Sequence, residues 1–401
     1  MKILAVPTML GIDERLQAPP ESAKVASGWR YDSVESRWVH DRGYCAYFST
    51  APQKGQPADG YGTHSIAVHT TRGGATQDII MEVDTSATTT ALVRIAPWET
   101  NGKITLASTR HRPGVTDPGS CIVSLGYAAM ICNGWDTPLR VYPVTSSTPR
   151  VEQYGYPERP AALQANAISD SDPGMKIAGD YKYATSVTYD DITVGYPHNN
   201  TIGLGNGTAS SPNAYRYVYT WVSDTGSESP VSAPSSVVSW DTYADAFRYG
   251  ITLTGIQAGP AGTVKRRIYR TKNLGSATDV ASATYYFVAE LPDNYSTYFT
   301  DHVPDGLLSS VAPTDLESAP LPADIRWATV WAGRTWIVSG DYKVHWSQPG
   351  AMESFGISSY VDVASRVGGR VTGLIGANDL LLVLRERAID AIVNVNGTFR
   401  A

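Results

Sequence analysis

Charge is sparse in this chain, and its balance is the wrong sign for a nucleic-acid grip. Lysine and arginine number 32 against 38 aspartates and glutamates, a formal net charge of −6 over 401 residues. A protein that holds nucleic acid through its phosphates carries a basic excess. Tight, static binding of DNA is therefore not expected, whereas a channel wall past which DNA slides remains compatible. Cysteine is also scarce: Cys45, Cys121 and Cys132 are all there is, and none sits in a CxxC pair. No disulfide framework and no zinc spacing is implied. The three are read as small buried hydrophobes of a protein assembled in a reducing compartment. Long apolar runs are missing too. The stretch after Met1 breaks at Pro7 and Gly11, too short for a signal sequence, and no window reaches the length of a transmembrane helix. The expectation is a soluble chain that is not exported.

Helical periodicity is equally thin. PPESAKVAS (19–27) reads as one turn of helix with Pro20 at its first position, and WDTYADAFRYG (240–250) is ambiguous. The motifs of common chemistry are absent: there is no GxSxG elbow, HExxH, Walker A loop or GxGxxG. The histidines (His40, His64, His69, His111, His198, His302 and His345) show no paired ligand spacing. SDSDPG (169–174) lacks the distal glutamate of a calcium loop and reads as an Asx-turn. Glu82 and Asp84 share a strand face but read as solvated surface rather than a glycosidase pair. No catalytic, cofactor-binding or metal-binding residue is assigned, and the chain is not expected to be an enzyme.

Tyrosine, tryptophan, glycine, threonine and serine are what is there, the composition of an all-β protein. Tyr215–Asp301 is the most telling stretch. Aromatic and β-branched residues alternate, Asp224-Thr225-Gly226 supplies a tight turn, and Pro230 and Pro234 mark a strand edge because proline cannot donate to a ladder. That pattern predicts a fibronectin/immunoglobulin-like β-sandwich region. Elsewhere a different unit recurs, strand, turn, strand, turn and polar-tipped strand, at 120–144, 326–350 and 370–397, and more weakly at 63–85 and at 90–108. This is the outline of propeller blades, about five in number. Trp327, Trp331, Trp336 and Trp346 fall in one such unit and read as core filler between blades, with a sugar-stacking platform as the alternative.

Proline-rich polar joints at 154–163 and 312–325 divide the chain into three parts. Residues 1–155 hold an N-terminal segment and the first propeller-like blades, 156–318 the inserted β-sandwich module or modules, and 319–401 the C-terminal blades. The fold expected is all-β: an irregular β-propeller-like ring interrupted by the sandwich region. Three successive β-domains are the alternative.

GIDERLQAPPESAKVASGWRYDSVESRWVHDRGY (11–44), ICNGWDTPLRVYPV (131–144) and WATVWAGRTWIVSGDYKVHWSQPG (327–350) carry a resemblance. In their order, with the sandwich run between them, the chain resembles the tail nozzle proteins of short-tailed bacteriophages, also called tail tubular protein B or tail hub DNA-stabilisation proteins. The resemblance implies a homo-hexameric ring below the adaptor, the head-to-tail connector protein. Such a ring continues the DNA channel, retains the genome, opens for DNA ejection and offers its sides to tail fibre or spike proteins. It implies location in the virion's short tail after assembly in the host cytoplasm, with genomic duplex DNA passing and not bound by sequence. Two readings of other classes stand beside it: a receptor- or glycan-binding virion adhesin associated with tail fibres, and a glycan-cleaving propeller enzyme.

Cations cluster only in VKRRIYRTK (264–272). Lys265, Arg266, Arg267 and Arg270 are read as sharing the outer face of a strand, where they form a docking patch for a neighbouring subunit or fibre rather than a DNA grip.

Overall fold

The computed structural model describes residues 29–32, 37–40, 63–70, 77–86, 88–95, 103–111, 119–142, 150–167, 186–189, 192–195, 213–240, 251–274, 283–301, 303, 305–364, 368–395 and 398–400. Among them there is no α-helix, only strands and one short 3-10 turn at Asp305–Leu307. The chain is nearly all β, built of antiparallel sheets, none of them closed. The helix candidate at 19–27 lies outside the described residues, as does that at 240–250 apart from Trp240, which ends a strand, and so do Cys45 and the 169–174 turn. The chain divides into two units. One holds Met1–Tyr154, Ala323–Val344 and Val361–Ala401; the other holds Gly155–Pro322 and His345–Tyr360.

The first unit starts with a ribbon of β1 (Trp29–Asp32) and β2 (Arg37–His40). Four-stranded meanders follow, in which each strand pairs with the next in sequence. The first comprises β3 (Thr63–Thr70), β4 (Gln77–Asp84), β5 (Thr89–Ile95) and β6 (Lys103–His111). The second comprises β7 (Cys121–Ser124), β8 (Ala129–Cys132), β9 (Leu139–Val141) and β10 (Val151–Gln153). The expectation of separate blades at 63–85 and 90–108 is corrected here. β4 and β5 pair from Ile79↔Ile95 to Asp84↔Thr90, so the two stretches form one sheet. A short polar turn, closed by Thr85 N donating to Thr89 O at 3.0 Å, joins them rather than separating them.

The second unit contributes β11 (Gln164–Ala167), β12 (Ser186–Tyr189), β13 (Ile192–Gly195), β14 (Asn213–Tyr215), β15 (Tyr217–Ser223), β16 (Val238–Trp240), β17 (Ile251–Thr254), β18 (Thr263–Thr271), β19 (Tyr285–Leu291) and β20 (Tyr298–Asp301). Two three-stranded sheets, β11-β17-β20 and β15-β18-β19, share one core. Tyr217, Tyr219 and Trp221 of β15, Ile268 of β18 and Val288 and Leu291 of β19 meet Ile251 and Leu253 of β17 there. β15 is fully buried although it is an edge strand. Its free edge is covered by the segment after the Asp224-Thr225-Gly226 turn, where Gly226 has φ +82°. Ser229, Ser232 and Ser235 donate their backbone N–H groups to Trp221 O, Tyr219 O and Tyr217 O at 2.8–2.9 Å. Their hydroxyls accept from the N–H groups of the same three residues at 2.9–3.1 Å. Pro230 and Pro234 have no N–H to offer, so the segment could not pair as a strand. The serine side chains supply the missing partners.

Two further meanders complete the order: β21 (Ile325–Trp331), β22 (Arg334–Ser339), β23 (Lys343–Gln348) and β24 (Ala351–Asp362), then β25 (Val371–Gly376), β26 (Leu380–Arg385), β27 (Ile389–Val395) and β28 (Thr398–Arg400). The division between the units passes through β23 and β24. Within the first unit the meanders stack in chain order. Ile80, Leu92 and Leu106 of the first sheet share a core with Ala129, Ile131 and Val141 of the second. Cys121 of β7 exchanges hydrogen bonds with the backbone of Ala328 in β21. Trp331 and Trp336 pack on Phe399 of β28 with ring centroids 5.9 and 4.7 Å apart. The first strands of the four sheets, β3, β7, β21 and β25, are neighbours in that series.

Candidate functional site

The cationic run occupies β18, the central strand of its sheet. Successive side chains of a strand point to opposite faces, so the four cations do not share one. Arg266 and Arg270 point inward and are 0% exposed, whereas Lys265 and Arg267 lie on the other face, each 32% exposed. The expectation of a single outward patch is therefore corrected. Residues 266, 268 and 270 form one face, and Ile268 is part of the core.

Each cation is met by carboxylate. Arg266 reaches Asp293 Oδ1 through Nη2 at 2.6 Å and donates to Asp293 O and Gln257 O. Arg270 donates to Asp301 Oδ2 at 2.6 Å, to Asp305 Oδ1 at 2.8 Å and to Val303 O, and its guanidinium lies over the Tyr215 ring. On the outer face Lys265 and Arg267 share Glu290, at 2.9 and 3.0 Å, and Arg267 also reaches Glu228 at 2.8 Å. Glu228 further accepts from Thr220 Oγ1 at 2.5 Å and from the Tyr269 hydroxyl. Four cations thus face five carboxylates.

The electrostatics follow from that pairing. Burial opposes the charge of Arg270, but Asp301, Tyr217 and Asp305 outweigh it and raise its pKa. Burial likewise opposes ionisation of Asp293. Hydrogen bonds from the Ser296 hydroxyl and amide and the Tyr295 amide, with the Arg266 charge, pull its pKa down to about 2. Glu290 is lowered against its own burial by Lys265 and Arg267. Tyr217 and Tyr269 are both raised, first by burial and then by the neighbouring carboxylates Asp301 and Glu228. Charges neutralised within the sheet have little field left to attract phosphate, and a buried pair can be reached by nothing outside. The arrangement locks strands; it does not present a cationic surface.

Other singled-out residues are placed as follows. Glu82 is not solvated: it is fully buried, with Oε1 accepting from Thr90 Oγ1 at 2.9 Å and Oε2 from Ser120 N at 2.8 Å. A buried carboxylate needs such donors, and β5 and the entry to β7 supply them. The side chain of Asp84 lies outside the described residues. Trp331 and Trp336 are core residues, as read, and Trp327 donates its indole N–H to Val371 O at 3.1 Å. His345 lies 5.3 Å from Tyr360, ring to ring, and His111 stacks on Trp135 at 4.4 Å. The side chains of His40, His64 and His69, and all of His198 and His302, lie outside the described residues. Among the described residues no group of three or more His, Cys, Asp and Glu is placed to hold a metal ion.

Sequence reasoning missed two arrangements. One is the serine ladder on β15, whose signal was the S-x-x-S-x-x-S spacing across the two prolines. The other is the facing of Cys121 and Cys132, whose signal was their equal distance from a turn centred between Gly126 and Tyr127. No protein-family model matches the chain, and no curated protein matches it.

Proposed function

We propose that this chain is a structural subunit of a short bacteriophage tail, a nozzle component that conducts DNA and performs no catalysis. The observation that carries the reading is the serial stacking of four meander sheets, first strand beside first strand, with the long excursion Gly155–Pro322 between the second and the third. That order supports reading the sheets as propeller blades interrupted by an inserted module, and two small sheets on one core support reading the inserted unit as a β-sandwich. The layout agrees with the resemblance to nozzle proteins drawn from the sequence. The mildly negative charge and the neutralised β18 suit a conduit that DNA slides through rather than a surface that holds it.

One exposed surface suits assembly into a ring. Leu381, Val383 and Ile392 are buried on one face of the fourth sheet. On the other face Leu380, Leu382 and Leu384 of β26 stand opposite Val393, Ala391 and Ile389 of β27, partly or fully exposed. An apolar face of this kind marks a contact surface. In the proposed hexamer it is where neighbouring subunits meet, with the adaptor above and fibre or spike proteins at the sides.

The test is native mass and electron microscopy of the purified chain at concentrations that favour assembly. A closed sixfold ring with an axial opening wide enough for duplex DNA is expected. Leu382→Lys with Ile389→Lys should leave soluble monomers. A stable trimer, or a persistent monomer that binds glycans, would overturn the reading in favour of a receptor-binding adhesin.

A further inference from the structure

Cys121 and Cys132 end the two strands of the β7–β8 hairpin, and the register sets them directly opposite one another. The turn fixes that register: Leu125 N donates to Ala128 O at 2.8 Å and Gly126 takes φ +87°. Opposed residues of an antiparallel pair project to the same face, with Cα atoms about 4.5–5.5 Å apart. A disulfide spans Cα separations of about 4.4–6.8 Å, so closing the bond asks little of the backbone. We propose that Cys121 and Cys132 are an oxidisable pair that closes to a cross-strand disulfide within this hairpin. The inference does not rest on the tail reading.

The surroundings give the two thiols different roles. Cys121 is half-buried and lies against the backbone of β21, accepting from Ala328 N at 3.4 Å and donating to Ala328 O at 3.6 Å. Its hydrogen bond with Cys132 favours the thiolate and lowers its pKa, against the opposing effect of burial. Cys132 is fully buried, and that same hydrogen bond together with burial raises its pKa. The buried Arg110 guanidinium, whose Nε lies 3.7 Å from Asp136 Oδ2, adds a positive charge that favours thiolate at Cys132. Cys121, the more exposed of the two, is thus the attacking thiol and the fully buried Cys132 the resolving one.

The exchange balances with a small disulfide such as oxidised glutathione. The Cys121 thiolate attacks one sulfur, the reagent's S–S bond breaks, and one glutathione leaves as a thiolate that takes up a proton. Cys132 then gives up its proton and attacks the Cys121 sulfur, and the second glutathione leaves. Two chain thiols are oxidised to one disulfide, and the reagent is reduced to two thiols.

The experiment treats the folded, full-length chain carrying Cys45→Ser with oxidised glutathione, blocks free thiols and digests with chymotrypsin. Cleavage after Tyr127 separates the two cysteines unless a disulfide joins them. The wild-type chain, mapped by the same peptides, serves if the Cys45→Ser chain does not fold. The expected result is joined peptides, lighter by two hydrogens and released by reductant, with the disulfide favoured about tenfold or more over the same chain in urea at equal glutathione ratio. Cys132→Ser should instead hold a glutathione adduct at Cys121. Oxidation no greater in the folded than in the unfolded chain, or a wild-type pair that stops at the Cys121 adduct, would overturn the proposal. An adduct-free Cys132→Ser chain would overturn the order of attack.

Discussion

Replacing Ser232 by alanine tests how the edge of β15 is held. The hydroxyl accepts from Tyr219 N at 3.1 Å and donates to Ala233 O at 3.0 Å, and both Ser232 and Tyr219 are buried. Ser232→Ala keeps the backbone bond from Ser232 N to Tyr219 O but removes the acceptor for the Tyr219 N–H. A buried donor left without a partner costs about 1–3 kcal/mol, and the extra apolar surface of alanine offsets little of that. The same construction recurs at Ser229 and Ser235, which meet Trp221 N and Tyr217 N. Each should therefore lose a similar amount. The residues they serve are four apart on one strand, roughly 13 Å at about 3.3 Å per residue. Ser229→Ala and Ser235→Ala should then add to within about 0.5 kcal/mol. Urea denaturation followed by circular dichroism gives the free energies. Ser236→Ala, at an exposed neighbouring position, is the control and should stay within about 0.5 kcal/mol of the parent. A Ser232→Ala chain as stable as that control would mean the Tyr219 amide finds another acceptor, and the account of the edge would be wrong.

The two faces of β18 should respond differently to truncation. Asp301→Ala takes from Arg270 its fully buried partner and leaves only the half-exposed Asp305, so it should cost about 3–5 kcal/mol, whereas Lys265→Ala removes an outer pair worth about 0–1 kcal/mol; equal losses in urea would refute the face assignment. In acid, Asp293 stays ionised in the fold down to about pH 2, while an unfolded aspartate takes up its proton near about pH 4. Its contribution is present above pH 4 and lost as pH falls toward 2, so the stability gap between the parent and Asp293→Asn should close across that window, and parallel pH curves would refute it. At the alkaline end, Tyr217 and Tyr269 hold their protons above the ordinary tyrosine pKa of about 10. The unfolded chain gives its protons up first, so stability should fall as pH rises past 10, with these tyrosines titrating only on unfolding when tyrosinate absorbance is followed.

The all-β class was legible because period-two alternation is a local property. The turns were legible for the same reason. Asn133 accepts from Trp135 N and Asp136 N at 3.0 and 2.9 Å, and Gly134 takes φ +82°, as an Asn-Gly turn predicts. Sheet membership was less legible because it is decided by pairing, not by pattern. β24 at Ala351–Asp362 alternates poorly, mixing Gly356 and a run of polar residues among its apolar ones, and went unread. The stretches 63–85 and 90–108 looked like separate units because nothing local says that β4 and β5 will pair. Burial of polar groups was the least legible. Glu82 is surrounded in sequence by residues that fit a half-solvated strand, and the donors that let it be buried come from Thr90 and Ser120 on other segments.

The cationic strand shows how such a misreading arises and what the true arrangement implies. A count of charges makes VKRRIYRTK a basic run, but period two splits it into Lys265 and Arg267 on one face and Arg266, Ile268 and Arg270 on the other. An isoleucine between two arginines on a central strand already points that face to the core. The arginines can follow only if acids from other strands meet them there, and Asp293 and Asp301, beyond β19 and in β20, do so. Such pairs add little net stability over apolar residues of the same size, because desolvation consumes most of the attraction. What they add is specificity. A one-residue slip of β18 against β15 or β19 would carry Arg266 and Arg270 away from their partners and move Lys265 and Arg267 into the core. Charge on this strand thus works with the apolar pattern of the same face against a one-residue slip of β18. Any docking done by that unit must use surfaces other than Arg266 and Arg270, and an assembly test should vary Lys265 and Arg267 alone, so that a lost contact is not confused with a lost fold.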